Sequence, residues 1–172
     1  MPNAVPSIPA DGNLSVIILT AMAGDAPTVS EIEASTSADV SCYLTPDGFA
    51  LTIDQATITD DRLCSTETFN KPGRKSYTLQ LTGIDNSNSE FEDEYNELVD
   101  ILPEGAQRYA VYRRGVAYDS PYEVGQEVRV VPFQVGVRSE VPAEANSVIR
   151  SMWNCFVTGP SKFVDVVAGG GA

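Results

Sequence analysis

Two stretches of the chain, LTIDQATIT at residues 51–59 and SYTLQLTGI at residues 76–84, have the composition of β-strands. Threonine, isoleucine, leucine and tyrosine are frequent in both, and β-branched and aromatic residues are enriched in strands. Alternate residues of the first stretch fall on opposite faces of an extended chain, with Leu51 and Ile53 on one face and Thr52 on the other. A Pro-Asp-Gly turn sequence precedes the first stretch and a Pro-Gly sequence precedes the second. These stretches therefore predict two strands of a mainly β protein.

Further strands are predicted on both sides of this region. They cover residues 14–20, 28–33, 39–45, 107–113, 127–137 and 147–157. Pro132 interrupts one of them and favours an edge position or a bulge, because proline has no N–H to donate to a neighbouring strand. Together with one helix, seven or eight strands predict a mainly β fold. The expected architecture is a β-sandwich or partly open barrel with one flanking α-helix and a long hairpin arm.

The single helix is predicted between residues 87 and 102. Ser87 and Ser89 each precede a glutamate by three residues, which is the pattern of a capping box. Apolar residues then recur at helical spacing, namely Phe91, Tyr95, Leu98, Val99 and Leu102. This stripe is expected to pack on the β-sandwich, with a contact between subunits as the alternative.

A length of 172 residues suits one domain. Residues 1–13 contain three prolines and are predicted to form an N-terminal arm. A β-sandwich domain is then predicted at residues 14–166, followed by a flexible glycine-rich tail at residues 167–172. Within the domain, residues 46–75 carry only part of a core pattern and are predicted to form an extended hairpin loop, since long excursions of this kind are usually functional.

The charge of the chain excludes several classes of function. Twenty-four acidic residues face eleven basic ones and there is no histidine, which gives a net charge of −13. Without histidine there is no imidazole base and no imidazole metal ligand. An acidic surface repels phosphate backbones, so a conventional nucleic-acid-binding module is disfavoured. Residues 1–61 hold nine of the acids and none of the bases, which suggests that one long surface is negative.

The cysteines and the only adjacent basic pair have modest interpretations. Cys42, Cys64 and Cys155 form no Cys-x-x-Cys pair for zinc or redox chemistry. A disulfide between Cys42 and Cys64 is one interpretation, and three buried free thiols are the favoured one. Arg113 and Arg114 are expected to be charges on an edge strand or contacts to a partner.

No catalytic residue, cofactor-binding residue or metal ligand is predicted. No combination of nucleophile, base and oxyanion donors can be assembled from the sequence. Residues 85–89 begin like a calcium loop, but Glu90 stands where that loop needs glycine. The apolar run at residues 14–19 follows no lysine or arginine and is too short for a membrane span, so a cytosolic protein without membrane contact is expected.

Three segments of the first half of the chain are distinctive: CYLTPDGF at residues 42–49, DQATITDDRLC at residues 54–64 and FNKPGR at residues 69–74. They resemble the major tail proteins, or tail tube proteins, of long-tailed actinobacteriophages. Downstream, the order of a strand TLQLT, an acidic segment EYNEL and a strand YAVYRRG is also similar. The resemblance extends over roughly residues 14–140.

The resemblance implies a structural virion protein of a siphophage. Members of the family are β-sandwiches with a flanking helix, and they self-assemble into hexameric rings that stack into a hollow tube. A long loop of each subunit reaches the adjacent ring, and DNA passes through the tube to the host during ejection. The implied partners are copies of the chain itself and the tape measure, tail terminator and distal tail proteins. The implied location is the virion tail, after assembly in the host cytoplasm.

Within this framework, two sets of residues are predicted to carry the function. The inter-ring loop would use charges of both signs, namely Asp47, Asp54, Asp60, Asp61, Arg62, Lys71, Arg74 and Lys75. An acidic tube lumen that repels DNA would use Glu31 and Glu33, two acids on one face of a short predicted strand, and Glu127 on another strand. The alternative function is a soluble acidic β-sandwich that binds a carbohydrate or a cell-surface ligand, and a hydrolase that uses carboxylates ranks below both.

Overall fold

The computed structural model describes residues 5–169, and these residues form a mainly antiparallel β protein. The helices of this part are single turns, α1 (Val29–Ile32) and α2 (Glu97–Ile101). Its strands are β1 (Leu14–Leu19), β2 (Ala38–Asp39), β3 (Leu44–Asp60), β4 (Phe69–Ile84), β5 (Gln107–Arg114), β6 (Glu127–Gln134), β7 (Arg138–Glu140), β8 (Arg150–Val157) and β9 (Lys162–Asp165). Residues 1–4 of the predicted N-terminal arm and residues 170–172 of the predicted tail lie outside the described part.

The strands form one open sheet in the order β2-β1-β5-β6-β8-β4-β3, with β7 beside β8 and β9 beside β6. The two halves of the sheet are joined only where Phe133 and Gln134 of β6 pair with Val157 and Phe156 of β8, among the described residues. Because only two residue pairs join the halves, one half of the sheet can fold over the face of the other. The mainly β prediction and the long hairpin, formed by β3 and β4, are confirmed.

The main hydrophobic core lies between the two halves of the sheet. Ile18 and Val131 come from one half, and Leu81 and Trp153 come from the other, yet all four belong to one buried cluster. A second, smaller cluster lies on the opposite face of β1, β5 and β6 and includes Ile32 of α1. Burial of apolar surface stabilises a fold by about 25 cal/mol per Å². The shared core is therefore the main interaction that holds the two halves together.

Pro132 lies in a central strand, where its missing N–H requires a special position. β9 pairs with β6 at residues 127–130, and β8 pairs with it only at Phe133 and Gln134. Pro132 therefore stands where β6 changes partners on one side, and its carbonyl accepts from the Thr158 N–H at 3.0 Å. Of the two predicted alternatives, an edge position or a bulge, the edge position was wrong because β6 is paired on both sides, but the underlying reason, that proline avoids a ladder position that needs a donor, holds.

The strand predicted at residues 28–33 is wrong, because this segment contains α1. Thr28 and Glu31 form a capping box: the Glu31 N–H donates to the Thr28 hydroxyl, and the Thr28 N–H donates to the Glu31 carboxylate. The short helix buries Ile32 against the sheet. Glu31 and Glu33 therefore do not share a face of a strand, which was the reason for pairing them.

Only the end of the predicted helix is helical, since residues 87–95 form turns. Polar side chains there bond to nearby backbone groups: the Ser89 hydroxyl donates to the Asn86 carbonyl at 2.7 Å, and the Asn96 side-chain oxygen accepts from the Asn86 N–H at 3.1 Å. Asn88 has φ 62°, a left-handed conformation that interrupts a helix. These local bonds replace the expected first two helical turns.

The apolar stripe of the predicted helix is accordingly divided. Leu98 and Leu102 are buried in the main core, as expected. Phe91 and Tyr95 remain 51% and 54% exposed, so the prediction that they pack on the sheet was wrong. They lie on the turns before α2, where the chain no longer presents one face to the sheet.

The Pro-Asp-Gly sequence before residue 51 does not form a turn between strands but a bulge within β3. The pairing with β4 shifts between Leu44, opposite Gly83, and Phe49, opposite Leu81. Gly48 is required in this bulge, because a β-carbon there would collide with the Thr82 carbonyl oxygen.

Candidate assembly interface

The outer part of the β3–β4 hairpin, defined here as the arm (residues 52–78), leaves the body of the protein. β4 pairs with β8 only from Leu79 to Ile84, whereas β3 and β4 continue to pair with each other out to Asp60 and Phe69. Ten residues of β4 at about 3.3 Å per residue give a projection of roughly 30 Å. An isolated two-stranded ribbon is marginally stable in water, so an arm of this length needs a surface to contact.

Apolar side chains on the arm are exposed to an extent that is unusual for a monomer. Ile53, Ile58 and Phe69 are each at least 40% exposed, and Leu63 at the tip is fully exposed. The arm is nevertheless specifically built, because its register shifts between Gln55 and Thr57 and the absence of a side chain at Gly73 lets the two strands approach closely there. Exposed apolar groups on a defined scaffold are typical of an interaction surface.

The charges of the arm have both signs and lie along its length. Asp60 accepts from Arg62 at 3.1 Å and is also bound by Lys71. The hydrogen bonds from Arg62 and then from Lys71 hold the pKa of Asp60 below its ordinary value. Arg74 and Lys75 are exposed and make no salt bridge within the described chain.

The structure places seven of the eight predicted inter-ring residues on the arm. Asp54, Asp60, Asp61, Arg62, Lys71, Arg74 and Lys75 are the seven. Asp47 instead lies at the root of the hairpin, in the bulge of β3, where its carboxylate accepts from the Thr45 hydroxyl at 2.9 Å. The root and the tip of the arm are therefore different surfaces, although the sequence prediction treated them as one.

The three acids predicted to face a lumen lie on two elements that flank the same segment. The Val29 N–H in α1 donates to the Val167 carbonyl at 3.2 Å, and the Gly125 N–H, just before β6, donates to the Val166 carbonyl at 2.8 Å. Glu33 and Glu127 are exposed. The segment at residues 166–167 therefore contacts both α1 and the residues just before β6.

Glu31 has a structural role that the sequence analysis did not assign. Its carboxylate accepts from the Ala23 N–H at 2.7 Å and from the Thr28 N–H at 2.8 Å. Burial raises the pKa of Glu31, but these two N–H donors and the Thr28 hydroxyl lower it by more, so the net shift is downward. Glu31 therefore anchors α1 to the preceding loop as a carboxylate.

Arg113 is the most unexpected side chain of the structure, because its guanidinium is only 1% exposed. It donates to the carbonyls of Ala117, Ser120 and Pro121 at 2.7–3.0 Å and stacks over the Tyr122 ring, 4.0 Å from its centroid. The prediction of charges on an edge strand was wrong, because β5 pairs with both β1 and β6; Arg113 is buried, whereas Arg114 is exposed. The sequence signal that points inward is the alternation of β5, in which Val111 and Arg113 share a face.

The cysteines are free, and two of the three were assigned to the wrong environment. Cys155 is buried as predicted, and burial raises its pKa to about 12. Cys42 and Cys64 are both exposed and do not form a disulfide with each other. Cys64 lies in the tip of the arm and Cys42 lies near its root.

The described residues hold no group of three or more cysteine or acidic side chains arranged to bind a metal ion. In the same part of the chain, neither helix has the length and hydropathy needed to cross a membrane.

Comparison with known proteins agrees with a virion role. The fold is similar to a chain in a solved structure described as the cryo-EM structure of the anti-feeding prophage baseplate, 6-fold symmetrised, with a TM-score of 0.57 and 8% identity over 95% of this chain and 98% of that chain. The search of curated proteins yields no match. A family model described as phage tail tube protein matches residues 1–170. This chain belongs to the phage tail tube protein family, a structural family of the virion tail.

Proposed function

We propose that this protein assembles into rings of six subunits, and that these rings stack into a hollow tube through which DNA leaves the capsid. The observation that carries the proposal is the arm, which projects roughly 30 Å from the body and exposes apolar side chains to solvent. Family membership supports a tube, and the 6-fold symmetry of the prophage baseplate with a similar fold supports rings of six.

The arm serves as the connection between successive rings. Its contact charges are Asp54, Asp60, Asp61, Arg62, Lys71, Arg74 and Lys75, with Asp47 at its root. A contact between the arm of one subunit and a different surface of the next is heterologous, so it leaves a free arm at one end of the stack and can be repeated without limit. Charges of both signs make the contact specific in register more than they add affinity.

The tube wall repels its cargo. Six subunits at −13 give a formal charge of −78 per ring, and the part that faces inward keeps phosphates from binding to the wall. Repulsion of this kind extends over about 8 Å at physiological salt. Glu33 and Glu127 face the lumen, and Glu31, whose carboxylate is held by backbone N–H groups, adds its charge to the wall.

The remaining partners follow from the position of such a tube in a virion. They are further copies of the chain, a tape measure protein within the tube, and terminator and distal tail proteins at its two ends. DNA passes through without specific binding, and the protein performs no catalysis.

Electron microscopy of the purified protein tests the proposal. We expect rings or tubes with an axial channel and sixfold symmetry in end-on views. Tubes of another symmetry would refute the hexamer but not the conduit. Isolated particles at every concentration and salt condition would contradict the tube and favour a soluble binding module.

A further inference from the structure

An open groove of about 380 Å³ lies at the root of the arm, defined here as the root groove. Val16 and Leu44 contribute aliphatic side chains to its lining, and the rings of Phe49 and Tyr112 stack there with their centroids 4.9 Å apart. Tyr118 also lines the groove and is 42% exposed. Aromatic and aliphatic side chains thus surround a space of the size that binds a short stretch of peptide.

Residues 5–9, VPSIP, precede this groove in the chain and are defined here as the proline segment. Val5 and Ile8 each stand before a proline, where the backbone favours extended or polyproline II conformations. A polyproline II helix has three residues per turn, so Val5 and Ile8 fall on one face of it. The two residues are 90% and 67% exposed, so their own subunit leaves this apolar face largely uncovered.

A hydrogen-bonded turn separates the proline segment from the groove of its own subunit. The Asn13 side chain donates to the Pro9 carbonyl at 3.1 Å, and the Asn13 N–H donates to the Ala10 carbonyl at 3.1 Å. Gly12 has φ 73°, which glycine adopts without strain, and its carbonyl accepts from the Tyr118 N–H at 2.9 Å. The turn itself lines the root groove, whereas the exposed proline segment does not.

The two surfaces have matching chemistry. Aromatic-lined grooves bind polyproline II segments, because such segments are ordered before binding and leave their backbone carbonyls free to accept hydrogen bonds. Tyr112 and Tyr118 bring hydroxyl donors to the groove. We propose that the root groove of one copy binds the proline segment of a neighbouring copy, with Val5 and Ile8 against its aromatic side chains.

This inference rests on the proposed tube, in which copies of the chain lie against one another, and it assigns a contact to the N-terminal part of the chain. Asp11 makes the border of the groove acidic, but the proline segment has no charged side chain. The contact should therefore depend on apolar burial and change little with salt concentration.

The native Cys42 allows a direct test, because it is exposed and lines the root groove. Ile8→Cys is combined in the full-length chain with Cys64→Ser, which removes the other exposed thiol. The assembled protein is oxidised with copper phenanthroline and separated under denaturing, non-reducing conditions. We expect a ladder of disulfide-linked oligomers, since each subunit links through position 8 to one neighbour and through Cys42 to another. Cys42→Ser should abolish the ladder.

Ser7 provides the matched control, because it lies on a different face of a polyproline II segment from Ile8. A disulfide requires close and correctly directed β-carbons, so Ser7→Cys in the same background should give a ladder at least about fivefold weaker. Ladders of equal strength would overturn the docking of the Val5–Ile8 face.

Assembly provides a second, independent measurement. Ile8→Asp should raise the concentration needed for assembly by about tenfold, because it places a charge in an apolar groove. Ser7→Asp adds the same charge on another face and should keep that concentration within about twofold of the parent. Both residues are exposed in the single subunit, so urea unfolding should be unchanged in both variants. Equal effects of the two variants on assembly would contradict the inference.

The outcomes separate this inference from the proposed function. Tubes without a ladder, or with position 8 linked to Cys42 of the same subunit, would overturn the docking between copies and leave the tube intact. A ladder from protein that forms no tubes would overturn the tube and retain the docking. Isolated subunits without links would overturn both.

Discussion

The buried side chain of Arg113 orders the loop between β5 and β6 by binding several of its backbone carbonyls. The loop between β5 and β6 has no regular structure, and three of its carbonyls converge on this guanidinium. A buried charge is costly unless its donors are used, and here carbonyl acceptors and the Tyr122 ring replace an acidic partner. The Tyr122 hydroxyl is in turn hydrogen-bonded to Ser15 of β1 at 2.8 Å. The loop is therefore held against the sheet mainly by polar contacts.

Replacement of Arg113 should test this organisation. Arg113→Met leaves the three loop carbonyls without their donors, and we expect a loss of about 3 kcal/mol in the free energy of unfolding, measured with urea. Arg114→Met is the matched control, because Arg114 is its exposed neighbour, and it should change the free energy by less than about 0.5 kcal/mol. Equal losses for the two variants would show that Arg113 does not have this role.

Glu31 makes stability depend on pH in a defined direction. Its folded-state pKa lies below the ordinary value, so its contribution is complete above the unfolded pKa of about 4.3 and disappears as the pH falls through the folded pKa. At neutral pH, Glu31→Gln should cost about 0.5–1 kcal/mol, the usual size of a lost cap contact. At lower pH its unfolding curve should converge with that of the parent. Curves that stay parallel throughout would exclude a role of the charge, and Glu33→Gln serves as the exposed control.

At the scale of elements, the arm combines strong pairing with weak anchoring. Its strand β4 extends from Leu79, the last residue paired with β8, out to Phe69, and the side chains of the arm are almost all exposed. Such a ribbon adds little to the stability of its own subunit. Its sequence is therefore better explained by a contact with another molecule than by folding.

Truncation of the arm should separate folding from assembly. Because Thr52 and Thr78 are paired, residues 53–77 can be replaced by an Asn-Gly turn, which suits a two-residue hairpin. We expect the free energy of unfolding of the truncated chain to lie within about 1 kcal/mol of that of the parent, because the deletion removes no core residue. It should form no tubes in electron micrographs. Tubes of normal length would contradict an inter-ring role for the arm.

The second element, α2, depends on one buried leucine. Leu98 is fully buried and lies so close to Gly83 of β4 that a β-carbon at Gly83 would collide with it. Leu98→Ala should cost about 2–5 kcal/mol in thermal or urea unfolding. Phe91→Ala should cost less than about 1 kcal/mol, because Phe91 lies on the exposed turns. A larger loss for Phe91→Ala in the unassembled subunit would restore the longer helix that the sequence predicted.

At the scale of the whole molecule, charge is the property through which a tube would act on its cargo. Glu33→Lys with Glu127→Lys changes the charge by four per subunit, and by twenty-four in a ring of six. Glu31 is left unchanged because it holds α1. In the lumen, these lysines should bind phosphates and slow DNA ejection, most strongly at low salt.

The measurement is ejection rate against salt concentration for parent and variant particles with normal tubes. Superimposable curves would place both residues outside the lumen.

The sequence by itself determined the strand-rich class, most strand positions and the hairpin, because alternation and turn residues act over a few neighbouring positions. Its resemblance to tail tube proteins is confirmed over the whole chain, whereas the inter-ring and lumen residues stay predictions. The helical turn at residues 28–33 was missed although its Thr28–Glu31 capping box is local in the sequence; only the contact from Val167, far along the chain, required the tertiary structure. The same holds for the burial of Arg113 and the exposure of Phe91. Whether a side chain meets solvent depends on which segments pack against it, and that information is not local in the sequence.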